Sequence, residues 1–378
     1  INRSMSRSFI ELATRGVQHL TPYQPGKPVE ELERELGISD SIKLASNENP
    51  LGPSQLALEA AAKVLPSINY YPDGGGFALS EKLAEKHAVD ASCITLGNGS
   101  NDILELVTRA FLTPEHSAVF SEYSFAVYPI VVQAVGAKAN IASAYAEDHQ
   151  HMPLGHDPEA LLSQIDESTR IIFIANPNNP TGTWIEADTL VAFLDRVPSD
   201  VVVVLDEAYT EYVSLEGFPN GLQLLSRYPN MIVTRTFSKI YGLAGLRIGY
   251  GASSPALASV IQRVRHPFNA NLIALAAAEA ALDDEQFLAQ SRSVNSAGMQ
   301  QLKQGFDEMG LKTIPSVANF LTVDLEREAA PVNQALLEQG IIVRPVANYR
   351  MPNHLRITIG SEVENSRFLA AFRQVMGR

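Results

Sequence analysis

The run Met231-Ile-Val-Thr-Arg-Thr-Phe-Ser-Lys-Ile-Tyr-Gly-Leu-Ala-Gly-Leu-Arg-Ile-Gly-Tyr250 carries an apolar strand into a nest of hydroxyls, glycines and arginine built around one lysine, Lys239. Thr236 and Ser238 can donate hydroxyl hydrogen bonds, Arg247 offers a planar cation for bidentate contact, and Gly242 and Gly245 let backbone come close. This suits an amine that must bond a carbonyl while its neighbours hold a phosphate, so a phosphorylated aldehyde is the economical ligand. By itself the segment also fits a strand followed by a polar surface turn.

Two further apolar runs bear on the choice. Arg170-Ile-Ile-Phe-Ile-Ala-Asn-Pro-Asn-Asn-Pro-Thr-Gly182 ends in a polar turn, and Asp200-Val-Val-Val-Val-Leu-Asp-Glu-Ala-Tyr209 ends in Asp206 and Tyr209. Both read as buried parallel strands with polar groups at their carboxyl ends. Ligands of open α/β sheets sit outside those ends, which would bring Asn179, Asp206, Tyr209 and Lys239 to one crevice. Gly97-Asn-Gly-Ser-Asn-Asp102, followed by the helical spacing of residues 103–111, adds a helix start whose free N–H groups at Ser100 and Asn101 favour an anion.

Taken in order, these segments resemble the fold-type I aminotransferases that use pyridoxal 5'-phosphate and, within them, the histidinol-phosphate branch. The resemblance runs from Leu20 to Gly360 and includes Leu-Thr-Pro-Tyr-Gln at 20–24, Ser-Asn-Glu-Asn-Pro-Leu-Gly-Pro-Ser at 46–54, Tyr-Pro-Asp-Gly at 71–74, Asp-Glu-Ala-Tyr at 206–209 and Leu-Arg-Ile-Thr-Ile-Gly at 355–360. It implies that Lys239 bonds the cofactor aldehyde and afterwards carries the Cα proton, while Asp206 faces the pyridine nitrogen. Tyr209 and Asn179 then serve the ring's phenolic oxygen, and Gly99, Ser100, Asn101, Thr236, Ser238 and Arg247 the phosphate. Tyr123 holds the position of a ring stacked on the pyridine, although Ser121-Glu122 stand where many members have Pro-Thr.

By the same resemblance Arg356 grips a substrate carboxylate or phosphate, Arg344 and Tyr23 add contacts to a substrate phosphate, and Tyr71 reaches across a two-fold interface to a neighbouring cofactor phosphate. The implied reaction exchanges an amino group between histidinol phosphate and 2-oxoglutarate or glutamate in histidine biosynthesis. An aromatic amino acid aminotransferase is the alternative within the class, and a non-catalytic effector-binding domain the alternative outside it. No metal is expected, and a homodimer is implied.

Composition fits such an enzyme. A chain of 378 residues exceeds the size at which one core usually stops growing, and 46% hydrophobic residues can fill two. The pattern suggests an arm at 1–50, a large cofactor domain at 51–270 with a mostly parallel central sheet, and a smaller α+β domain at 271–378. Strands are expected near 94–97, 117–121, 171–175, 201–206, 231–235, 248–251, 320–324, 341–344 and 355–359. The net charge of −13 argues against nucleic acid or an anionic membrane as partner. One cysteine, Cys93, excludes an intrachain disulfide and fits a reducing cytoplasm. No apolar run approaches the ~20 residues that span a bilayer. Residue 1 is isoleucine, so Met5 is the expected native start.

Overall fold

A computed structural model describes residues 8–23 and 25–377; Met5, the expected start, lies outside them. Strand β1 (Ile42–Lys43) belongs to the N-terminal arm. β2 (Ile94–Gly97), β3 (Ser117–Ser121), β4 (Lys138–Ala142), β5 (Thr169–Ala175), β6 (Val202–Asp206), β7 (Met231–Thr236) and β8 (Gly249–Ser253) form one seven-stranded sheet, and β9 (Thr313–Ile314), β10 (Phe320–Asp324), β11 (Ile341–Ile342), β12 (Arg344–Pro345) and β13 (His354–Thr358) follow. The large sheet has the order β2-β8-β7-β6-β5-β3-β4. Only β8 runs against its neighbours.

The apolar runs are continuous because both faces of this sheet are covered. Ile172, Ile174, Val203, Leu205 and Val233 enter one core, while Ile171, Phe173, Val202, Val204 and Ile232 enter the other. Alternation along an extended chain sends successive side chains to opposite faces, so a doubly buried strand cannot afford a polar position until it ends. Polar groups therefore gather toward the carboxyl edge: Asn176 after β5, Asp206 ending β6, and Thr234, Arg235 and Thr236 at the end of β7.

The smaller unit has the antiparallel sheet β12-β13-β10-β9, backed by the Glu362–Met376 helix. Its core includes Leu321, Val323, Leu355, Ile357, Phe368 and Phe372, together with Leu44 from the arm. β1 pairs in parallel with β11, and the Leu44 N–H donates to the Ile342 carbonyl at 2.7 Å, so the arm adds an edge to this unit.

Two expectations differ from what is observed. The Leu272–Ala281 helix, read from the sequence as opening the smaller unit, buries Ala274, Ala277, Ala278 and Ala281 in the large core. The next helix, Glu285–Glu308, joins the two units, with Leu288 in the large core and Leu302 and Phe306 in the small one. β4 was not anticipated: it is a partly exposed edge strand whose Lys-Ala-Asn-Ile-Ala lacks an apolar run. No helix among the described residues is long and apolar enough to cross a membrane.

Candidate active site

Strand ends, the arm and one helix start meet at a cavity of about 400 Å³. At one end the twelve-residue Ser100–Phe111 helix begins, with Ser100 and Asn101 on the cavity wall. The first N–H groups of a helix have no partner within it and carry its positive partial charge. Arg247 completes this corner, donating from Nη1 to Ser238 Oγ at 3.1 Å and to the Ala244 carbonyl at 3.0 Å. Thr236 Oγ1 accepts from the Ser238 N–H at 3.1 Å. Gly99 has φ 84° and ψ 165°, and a Cβ there would lie 2.3 Å from Arg247 Nη2, so the arginine can approach only a glycine. The result is a cationic, N–H-lined pocket for a phosphate.

Lys239 lies farther in. Its Nζ donates to the Ser46 carbonyl at 3.0 Å and stands 5.6 Å from the centre of the Tyr209 ring. Burial, aided by the positive charge of Arg356, lowers its pKa to about 7. A substantial share of this amine is therefore unprotonated near neutrality, the form that attacks a carbonyl. Asp206 closes the bottom, 5% exposed, with Oδ2 accepting from Tyr128 Oη at 2.8 Å and Oδ1 from Thr234 Oγ1 at 3.0 Å. Burial raises its pKa, against the two hydroxyl bonds that favour its anion. A protonated ring nitrogen set beside this carboxylate would recover the electrostatic energy lost on burial.

Two more arginines line the cavity. Arg344 and Arg356 are register partners on β12 and β13 and both line the cavity. Arg356 lies over the Phe320 ring at 5.3 Å. Its Nη1 donates to Asn179 Oδ1 and its Nη2 to the Ala45 carbonyl, while its buried Nε has no partner. Arg344 lies 5.6 Å from the centre of the Tyr23 ring. A buried donor left over on a guanidinium is costly unless an anion takes it.

Of the residues expected from the sequence, Tyr23, Ser100, Asn101, Asn179, Asp206, Tyr209, Thr236, Ser238, Lys239, Arg247, Arg344 and Arg356 line this one cavity. Gly99 stands behind it, making room for Arg247. Tyr71 is 82% exposed and stacked on Phe268 at 4.7 Å, away from the wall. Tyr123 is also outside: after β3 the Ser124 N–H and Oγ bond back to the Ser121 carbonyl, and the Tyr123 ring packs against the cluster of Leu154, Val346, Tyr349 and Met351. The ring that this segment places on the cavity wall is Phe125. Three other residues had no assigned role from the sequence: Asn47, whose Nδ2 donates to Tyr209 Oη at 2.9 Å, and Tyr128 and Thr234, which hold Asp206. Asn47 lies in the quoted 46–54 motif and Thr234 in the quoted 231–250 run, both without a role read from them; Tyr128 carried no local signal.

The donor set fits a flat phosphorylated aldehyde, with the Gly99 space and the helix start at the phosphate, Lys239 at the aldehyde and Asp206 at a ring nitrogen. Residues 39–372 match the family model for aminotransferase class I and II. The chain is 59% identical over 376 residues to histidinol-phosphate aminotransferase 2 of Pseudomonas fluorescens (strain Pf0-1), covering 99% of this chain and 100% of that one. It is 53% identical to histidinol-phosphate aminotransferase 1 of Nitrosococcus oceani, covering 97% and 98%. Among solved structures, histidinol-phosphate aminotransferase from Sinorhizobium meliloti in complex with pyridoxal-5'-phosphate superposes with a TM-score of 0.86 at 28% identity, covering 99% of each chain. The chain belongs to the class I and II aminotransferase family.

Proposed function

We propose that this chain uses pyridoxal 5'-phosphate to exchange an amino group between L-histidinol phosphate and 2-oxoglutarate, as a step of histidine biosynthesis. The observation that carries this reading is the pair of register-matched arginines, Arg344 and Arg356, on the same cavity as Lys239 and Arg247. The cavity thus has two anion sites, one for a cofactor phosphate and one for the substrate. Bound there, pyridoxal phosphate supplies the aldehyde that takes up the amino group and a protonated ring that accepts the electron pair released at Cα.

The chain's own residues do the rest. Ser100, Asn101, Ser238 and Arg247 fix the phosphate, Phe125 supports the ring face, and Asp206 keeps the ring nitrogen protonated. Asn179 and Tyr209 stand where they can bond the ring oxygen; burial pushes the Tyr209 hydroxyl up to about 12, so it remains a donor. Lys239 Nζ is the amine that would hold the aldehyde and, when free of it, would hold and move the proton at Cα. Arg356 on β13 takes a carboxylate or a phosphate, and closing the smaller unit over it excludes water. Tyr71 and the exposed Ile68, Tyr70 and Phe77 of the same stretch offer an apolar surface that a second copy of the chain would cover, which supports a homodimer. A cytoplasmic location goes with this reading.

The test compares Arg344→Ala with Arg356→Ala. A substrate phosphate carries up to two charges, and losing one bidentate arginine costs about 2 to 5 kcal/mol through the charge left unpaired. Arg344→Ala should lower kcat/KM for histidinol phosphate by roughly 30-fold or more and that for phenylalanine or glutamate by only a few fold. Arg356→Ala should harm every substrate. Equal losses for phenylalanine and histidinol phosphate in Arg344→Ala would favour a general aromatic aminotransferase.

A further inference from the structure

Outside the catalytic cavity, Glu147, Asp324 and His354 each bring one potential ligand atom to within 4.8 Å of the other two. Asp324 and His354 are register partners at the end of β10 and the start of β13, in the smaller unit. Glu147 comes from the large unit, on the segment after β4 whose base is closed by the Ala144–His156 bridge and by the Tyr145 N–H donating to the Gly155 carbonyl at 2.9 Å. Leu154 of this segment packs with Ile314, Val346, Tyr349 and Met351 of the smaller unit, so the loop is already seated across the boundary.

His354 supplies the independent sign of a missing ligand. It is only 7% exposed, yet its Nδ1 is buried without a hydrogen-bond partner. Buried imidazole nitrogens normally have one, and an orphan calls for an explanation.

We propose that Glu147, Asp324 and His354 bind one divalent transition cation of the zinc class, which fastens the loop after β4 to the small sheet at the edge of the cleft. One imidazole nitrogen with two carboxylate oxygens suits Zn²⁺ or Co²⁺, whereas Mg²⁺ and Ca²⁺ prefer all-oxygen sets. Water completes the shell on the exposed Glu147 side. Residues 354 and 356 share a face of β13 about 7 Å apart, as do 322 and 324 on β10, so the cation steadies the strand that presents Arg356. The Thr322 hydroxyl, donating to the Pro180 carbonyl, fastens the same strands to the large unit. Sequence spacing could not point to this site, whose ligands are separated by more than two hundred residues at the widest.

The experiment uses cofactor-loaded protein, stripped by chelator, in phosphate-free buffer. Co²⁺ is titrated in and read by its visible d–d absorption, with Zn²⁺ as competitor. One Co²⁺ per chain is expected, displaced by Zn²⁺, with affinity weakened roughly tenfold or more in both Glu147→Gln and His354→Gln. Glu147 is exposed, so its variant tests the site without risk to the core; His151→Ala, an exposed position on the same loop, should bind as the parent does. A parent protein that takes up no Co²⁺, or uptake that either Glu147→Gln or His354→Gln leaves unchanged, overturns the proposal.

Discussion

Gly99→Ala should separate the two things that one glycine does. Its φ of 84° with ψ of 165° lies where non-glycine residues are strained by about 1 to 3 kcal/mol, so the cofactor-free protein should melt earlier by that equivalent. The methyl carbon would also sit 2.3 Å from Arg247 Nη2, and the guanidinium must leave the corner where it meets Ser238. A charge-assisted hydrogen bond is worth about 1.5 to 3 kcal/mol, so pyridoxal phosphate should bind about 10- to 100-fold more weakly. Dissociation constants from absorbance titration of cofactor-free protein, with calorimetric melting of the same samples, measure both effects. In an Arg247→Ala background the added methyl should cost no further affinity, because the displaced group is already gone, while the loss of melting temperature should persist. Unchanged affinity in Gly99→Ala, or affinity losses that simply add, would refute the placement of Arg247 at the phosphate.

Other outcomes follow from the same geometry. With a folded pKa of about 7 against an ordinary 10.5, Lys239 should make cofactor capture by the cofactor-free protein accelerate up to about pH 7 to 8 and then level off; stopped-flow absorbance checks this, and a rate still climbing at pH 10 contradicts it. Between those two values the unfolded chain holds a proton that the folded chain lacks, so stability rises with pH across that window, and Lys239→Met should flatten the rise in calorimetric scans. Asp206→Asn should bind cofactor with modest loss yet slow Cα proton removal severely, as read by deuterium exchange at Cα; near-normal exchange would reduce Asp206 to a structural residue. Tyr128→Phe removes one of the two hydroxyls on Asp206, so the pH at which the bound cofactor's ring nitrogen deprotonates should move relative to the parent, while KM for glutamate stays within a few fold.

What could be read from the chain alone was local pattern, the meeting of strand ends that an open α/β sheet implies for Asn179, Asp206, Tyr209 and Lys239, and the substrate contacts that the resemblance implies for Tyr23, Arg344 and Arg356. The phosphate and lysine groups from Thr236 to Arg247 fall within twelve residues, and β5, β6 and β7 announce themselves because burial on both faces demands unbroken apolar runs that end at polar residues. Tertiary structure decided the matters in which distant or equivalent-looking residues compete. Tyr123 and Phe125 are both aromatic and two positions apart, and the turn after β3 sends only Phe125 to the cavity. The Ala-rich Leu272–Ala281 helix is apolar enough for either core, and packing put it in the larger one. Arg344 meets Arg356 through antiparallel register, and Tyr128 meets Asp206 across 78 residues. Local pattern records how a segment is buried; which segments share a site depends on strand order and register, and those are set by long-range pairing that no short stretch encodes.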